Sequence, residues 1–255
     1  MRLRVAVAIA FAALAFGQAQ QQTPQQGNAP PLVPLAGEAA LFKRAMTMYE
    51  AGNYGPAMRA FEEAAALGNV EAMMHLGMMY SQGQGTPVKF DEALAWFHKA
   101  AAKGDSQGMC NLGSLYYQGR GTPQRFDLAL KWFHSAASLG NDQAMQNLGV
   151  MFRDGQGVPV DYAEAKTWFQ KAADAENDKA MNNLGDLYKK GQGVEVDYTE
   201  ALKWYHSSAN MGNHAAMYNV GVMYEFGLGV VADPEEAKRW YTKAAAAPEP
   251  TPSRP

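Results

Sequence analysis

Three histidines, His98, His134 and His206, stand 36 and 72 residues apart. Imidazoles on a fixed repeat bind metal when the fold lines them up and further ligands join them. Gln170 occupies the position between His134 and His206, and no acid or cysteine recurs in the same phase. The row therefore reads as a partly solvated helix surface. Cys110 is the only cysteine, which excludes an intrachain disulfide and a multi-cysteine zinc site. Five Gly-x-Gly pairs begin at Gly83, Gly119, Gly155, Gly191 and Gly227. They follow helical patterns, not strands, and lack the third glycine of a dinucleotide loop. Glycines that end a helix in a left-handed turn explain them better. The acids Asp161, Asp197 and Asp233 come one per unit, whereas glycoside hydrolysis needs two carboxylates across one cleft. No nucleophile elbow or zinc-protease helix is found. The expectation is a non-enzyme with no catalytic residue, no metal and no cofactor.

Composition narrows the partners. The 255 residues carry 22 Lys+Arg against 25 Asp+Glu, a formal net charge of −3. Binding to a phosphate backbone needs a cationic excess, so nucleic acid is not an expected partner. Hydrophobic residues make up 47% of the chain, enough for a sizeable core.

The N-terminus has the grammar of an export signal. Arg2 and Arg4 precede the apolar run Val5 to Phe16, and small residues follow at Gly17 and Ala19. This predicts cleavage after Ala19, with Ala15 and Gly17 as the alternative small pair. The run is shorter than the ~20 residues of a membrane span, so the mature form is expected to keep no stable membrane anchor and to be periplasmic or secreted. Residues 20–35 are Gln- and Pro-rich and read as a linker; residues 248–255 hold four prolines and read as a tail.

Between these segments one period organises the chain. Trp96, Trp132, Trp168, Trp204 and Trp240 are spaced by 36, as are the pairs Leu76-Gly77, Leu112-Gly113, Leu148-Gly149, Leu184-Gly185 and Val220-Gly221. In the first of these units, Ala72, Met73, Leu76 and Tyr80 mark one amphipathic helix, helix A; after the Gly-x-Gly break Phe90, Ala93, Leu94, Phe97 and Ala100 mark helix B. Asp161, Asp197 and Asp233, each followed three residues later by Glu, predict capping boxes at the start of helix B. Lys89 and Arg125 replace the cap in two units. The tryptophans, Trp168 among them, are expected to be the large buried aromatics at the packing positions. Lysines 99, 131, 171, 203 and 243 on helix B are expected to serve solubility and the helix dipole. One such hairpin cannot cover its own apolar face, but stacked copies can.

The run from Ala144 to Ala173, with Leu148-Gly149, Gly155-Gln156-Gly157, Tyr162, Ala165, Trp168 and Ala172-Ala173, closely resembles the Sel-1-like repeat family, relatives of tetratricopeptide repeats. The resemblance covers five units over residues 69–247. Residues 36–68, with Phe42, Ala45, Tyr49, Ala57, Phe61 and Ala64 around a Gly52-Asn53 turn, resemble a plain tetratricopeptide hairpin capping the stack. The resemblance implies an all-α fold, a right-handed α/α superhelix or solenoid of tandem helix-turn-helix repeats, and a protein-interaction or scaffold role. Cysteine-rich secreted relatives imply a β-lactamase-like or penicillin-binding alternative, but their paired cysteines are absent here. A cell-wall glycan or envelope-assembly role is the other alternative.

Two rows on helix A are candidate partner-binding residues. Asn111, Asn147, Asn183 and Asn219 recur before the Leu/Val-Gly pair, with His75 in their place in the first unit; amides can grip a peptide backbone whatever its side chains. Met78, Ser114, Val150, Asp186 and Val222 differ from unit to unit, as does the row Met74, Cys110, Gln146, Asn182 and Tyr218. If helix A lines the inner curve, as in tetratricopeptide superhelices, an unknown protein or peptide segment would lie along both rows. The alternative for the Asn row is packing between neighbouring repeats. Cys110 is expected to be a small buried residue carrying a free thiol.

Overall fold

The structure, a computed structural model, describes residues 37–246. The expected export signal, linker and Pro-rich tail lie outside the described residues. Within them the chain forms α1 (Glu38–Glu50), α2 (Tyr54–Ala66), α3 (Val70–Gln82), α4 (Phe90–Ala102), α5 (Ser106–Gln118), α6 (Phe126–Ser138), α7 (Asp142–Asp154), α8 (Tyr162–Asp174), α9 (Asp178–Lys190), α10 (Tyr198–Asn210), α11 (His214–Phe226) and α12 (Pro234–Ala246). The fold is all-α, a right-handed α/α solenoid. Each odd helix pairs with the next as a hairpin, and each even helix packs against the following odd one. Instead of one central core, the apolar interior divides into clusters strung along the stack, as expected when each unit touches only its neighbours.

Two glycines per unit shape the hairpin. Gly83, Gly119, Gly155, Gly191 and Gly227 end helix A with φ of +63° to +73°, the left-handed cap that costs glycine least. The second glycine of each pair serves the next interface. A Cβ at Gly121 would lie 2.6 Å from the Phe90 carbonyl carbon, and one at Gly193 would lie 2.8 Å from that of Tyr162. The loop of one unit thus abuts the first turn of helix B in the unit before.

The Leu-Gly glycine seats an aromatic ring, but the ring belongs to the residue after tryptophan. A Cβ at Gly113 would stand 2.8 Å from Phe133, and one at Gly221 2.6 Å from Tyr241. Phe97, Phe133, Phe169 and Tyr205 are almost fully buried. Trp96, Trp132, Trp168 and Trp204 are only half-buried, so the expectation that Trp168 is the buried aromatic is corrected. Adjacent helix residues point ~100° apart, and the groove faces the second of the pair. The tryptophans lie between repeats: His98 meets Trp132 with ring centroids 5.5 Å apart, His134 meets Trp168 at 5.3 Å, and His206 meets Trp240 at 5.2 Å, all edge-on. The histidine row is therefore a packing row. Lys99, Lys171 and Lys243 lie 3.6, 4.2 and 4.0 Å from the centroids of Trp96, Trp168 and Trp240, so these lysines also cover aromatic faces.

The expected capping boxes form only by half. Asp161 and Asp197 accept from the N–H of Glu164 and Glu200 at 2.9 Å, and Asp233 accepts from Glu236 at 3.0 Å. The return bond is replaced: the N–H of Asp161, Asp197 and Asp233 donates to the carbonyls of Phe152, Tyr188 and Tyr224 on helix A. Glu164 turns instead to Trp168 Nε1 at 2.9 Å. Lys89 and Arg125 make no side-chain cap. A second cap row escaped the sequence reading. Asn69, Asp105, Asn141, Asn177 and Asn213 cap helix A of every repeat through their side-chain oxygens.

Candidate functional site

The helix A surfaces of α3, α5 and α7 border one cleft of about 930 Å³, which reaches Lys179 on α9. Met74 and Met78 supply apolar surface, and Gln107, Asn111, Gln143 and Asn147 supply amides. Ser114 lies on this cleft as well and is shared with a smaller one of about 180 Å³ that contains Val150. Of the candidate residues, Met78, Ser114, Val150, Asn111 and Asn147 thus come together on one face. Asn183, Asp186, Asn219 and Val222 border neither cleft.

Hydrogen bonding divides the Asn row in the same way. Asn183 Oδ1 accepts from the Arg153 guanidinium at 2.9 Å, and Asn219 Nδ2 donates to Asn182 Oδ1 at 2.9 Å. These two amides tie neighbouring helices together. Asn111 Oδ1 accepts from Gln107 Nε2 at 3.2 Å within its own helix. Asn147 Oδ1 accepts from Gln143 at 3.3 Å, while its Nδ2 reaches Cys110 Sγ at 4.0 Å. Thiol sulfur is a weak acceptor, so a carbonyl entering the cleft would be a better partner for that amide.

Asp186 is committed to the fold. Its Oδ1 accepts from the Tyr205 hydroxyl at 2.6 Å, and its Oδ2 lies 3.6 Å from Lys190 Nζ. His75 stands at the Asn position of the first repeat and is buried. Its ring stacks on Phe61 with centroids 4.9 Å apart and planes 2° from parallel, and its shielded Nδ1 has no hydrogen-bond partner. Burial lowers its pKa. Cys110 is 1% exposed, and burial, with a smaller contribution from Asp142, pushes its thiol up to about 12. That thiol stays protonated at neutral pH and is a poor nucleophile.

Sequence reasoning missed the residues that join one helix A to the next. Asn141 Nδ2 donates to Gln107 Oε1 at 3.1 Å, and Asn177 and Asn213 donate to Asp142 and Asp178 at 2.7 Å. The 36-residue spacing of Asn69, Asp105, Asn141, Asn177 and Asn213 carried the signal. Among the described residues no helix is long and apolar enough to cross a membrane.

Comparison with known proteins agrees with this geometry. The Sel1 repeat model matches residues 70–105, 106–141, 142–177, 178–213 and 214–248, in step with the observed hairpins. A Sel1 repeat protein from Oxalobacter formigenes is 30% identical with a TM-score of 0.78, over 84% of this chain and 89% of that one. The protein c5321, a protective antigen present in uropathogenic Escherichia coli strains displaying an SLR fold, is 33% identical with a TM-score of 0.74. That match covers 82% of this chain but 46% of c5321, so the chain spans about half the length of that relative. Immunity protein Pa5087 from Pseudomonas aeruginosa, 22% identical over 86% of this chain and 84% of its own with a TM-score of 0.57, shares the fold. No curated protein matches the sequence. Five consecutive matched repeats, each coinciding with one observed hairpin, place the chain in the Sel1 repeat family.

Proposed function

We propose that the chain is an exported interaction module that holds an extended peptide or protein segment in the cleft of α3, α5 and α7. Sel1 repeat proteins generally mediate protein–protein interaction, and here the amide-lined cleft offers such a segment a place to lie. The observation that carries it is Asn147. Its amide faces the cleft with a sulfur as its acceptor at 4.0 Å, and a peptide carbonyl would satisfy it better. Gln107, Asn111 and Gln143 supply further backbone partners, while Met74 and Met78 give an apolar side chain somewhere to rest. Export belongs to the same reading and is supported by the Arg2, Arg4 and Val5 to Phe16 pattern.

Selection of random 16-residue peptides on the full chain tests the cleft. Asn111→Ala and Asn147→Ala should weaken selected peptides by ~1 to 3 kcal/mol if paired amides are lost. Lys131→Ala, on the opposite helix row, should leave affinity unchanged. Binding that ignores the cleft variants while melting is unaltered would refute the site. A cell-wall glycan is the second reading, supported by the same amides; retention of purified wall fragments that Asn147→Ala abolishes would favour it.

A further inference from the structure

In every internal repeat, the seam beside helices A and B is filled by helix A of the next unit. Among the described residues nothing fills this seat beside α11 and α12, where a cleft of about 670 Å³ runs past His214, Tyr218, Glu225 and Tyr241. A terminal repeat that only faces water is expected to carry a polar outer surface. This one does the reverse. On this cleft Ala215 stands where the earlier repeats have Glu71, Gln107, Gln143 and Lys179. Tyr218 is 56% exposed. At the Tyr218 position the earlier repeats hold Met74, Cys110 and Gln146, which are buried, and Asn182, which is half-buried.

We propose that this seat takes α11 of a second copy of the chain, paired antiparallel about a two-fold axis. The seat is continuous with the interface that already joins each repeat to the next, so its occupant has the form of a helix A. The far end of the stack is a poor match, because the exposed side of α1 carries Lys43, Arg44 and Glu50. The terminal helix A of another copy fits, and its ends are complementary. His214 and Glu225 border the same cleft and lie three helical turns apart, about 16 Å. In an antiparallel pair each imidazole meets the carboxylate of the other copy. Glu225 Oε2 already accepts from the Tyr241 hydroxyl, and Oε1 receives the imidazole N–H. The same register lays Tyr218 opposite Val222 of the second copy. A closed pair buries both apolar faces and leaves no open end to propagate.

Sedimentation velocity on the full chain, with helicity and melting followed in parallel, reads the outcome. The wild type should dimerise, and Tyr218→Asp should raise the dissociation constant at least tenfold with melting intact, whereas Lys43→Glu on α1 should not. A variant carrying His214→Cys and Glu225→Cys in a Cys110→Ala background should form an interchain disulfide dimer under mild oxidation. The two cysteines are too far apart to close within one chain, and neither single variant should cross-link. A monomer at ~100 μM, dimers untouched by Tyr218→Asp, or absence of the disulfide dimer would overturn the proposal. So would a monomer that dimerises only after removal of residues 248–255, because the chain's own tail would then be the occupant.

Discussion

The Tyr205 hydroxyl donates to Asp186 Oδ1 at 2.6 Å across the α9–α10 hairpin. In the other repeats the ring position is Phe97, Phe133, Phe169 or Tyr241, and the helix A position opposite is Met78, Ser114, Val150 or Val222. Tyr205 is fully buried, and burial and Asp186 together raise its pKa, keeping the hydroxyl protonated as a donor. Variation at this row of helix A is thus coupled in one repeat to variation in the core. Tyr205→Phe should cost about 1 to 2 kcal/mol by leaving a half-buried carboxylate without its donor. Tyr205→Phe with Asp186→Val restores the pairing seen between Phe169 and Val150 and should recover most of that loss. A double-mutant cycle by urea denaturation measures the coupling; additive effects would rule it out.

Phe169→Ala should destabilise by ~3 to 5 kcal/mol, since the ring is fully buried against Gly149. Trp168→Ala should cost clearly less because the indole is half-buried, losing its contacts to His134, Lys171 and Glu164. Denaturation midpoints in the opposite order would contradict this assignment of the core aromatic.

Glu176 has φ of +61° at the helix B exit where Gly68, Gly104, Gly140 and Gly212 stand in the other repeats. A residue with a Cβ pays roughly 1 to 2 kcal/mol for the left-handed region. Glu176→Gly should therefore raise stability by about 1 kcal/mol, part of the gain being offset by glycine's larger unfolded-state entropy. Calorimetric melting of the variant checks it.

Stability should fall on mild acidification. Burial lowers the pKa of His75 and His98. It also lowers His134, with Glu164 opposing and Lys171 assisting, and His206, with Glu236 opposing and Lys243 assisting. A lowered histidine binds its proton more readily unfolded than folded. Its contribution is complete above the unfolded value near 6.5, is lost progressively as pH drops below it, and levels off beneath the folded value. Urea midpoints should fall from pH 7.5 to pH 5. His75→Phe, which keeps the stack on Phe61 and removes the unpartnered Nδ1, should make that fall shallower; an unchanged pH slope would exclude His75 as a contributor.

The hairpins, their turns and their phase were legible because the 36-residue period repeats both the apolar face and the glycines that end each helix. Which aromatic is buried was not, because the invariant Trp draws attention from its neighbour. The constant step of 20 from Gly113 to Phe133 and from Gly149 to Phe169 names the right ring only once the glycine is known to face helix B. Each of the two rows offered as groove positions is split along the stack. Asn147 and Ser114 border the cleft, while Asn183, Asn219 and Asp186 are bound by Arg153, Asn182 and Tyr205. Repeat phase tells which residues are equivalent, but partner choice depends on the particular side chains one repeat away.

In four of the five Gly-x-Gly pairs the second glycine, Gly85, Gly121, Gly193 or Gly229, presses main chain against main chain, as Gly121 does on Phe90 and Gly193 on Tyr162. Such a contact has a length that no side-chain replacement can stretch or shorten. The step from one unit to the next is therefore set by a backbone ruler, independent of what lines the inner face. Groove residues can be exchanged one at a time, and whole units transplanted between positions, with the spacing of the remaining units held constant.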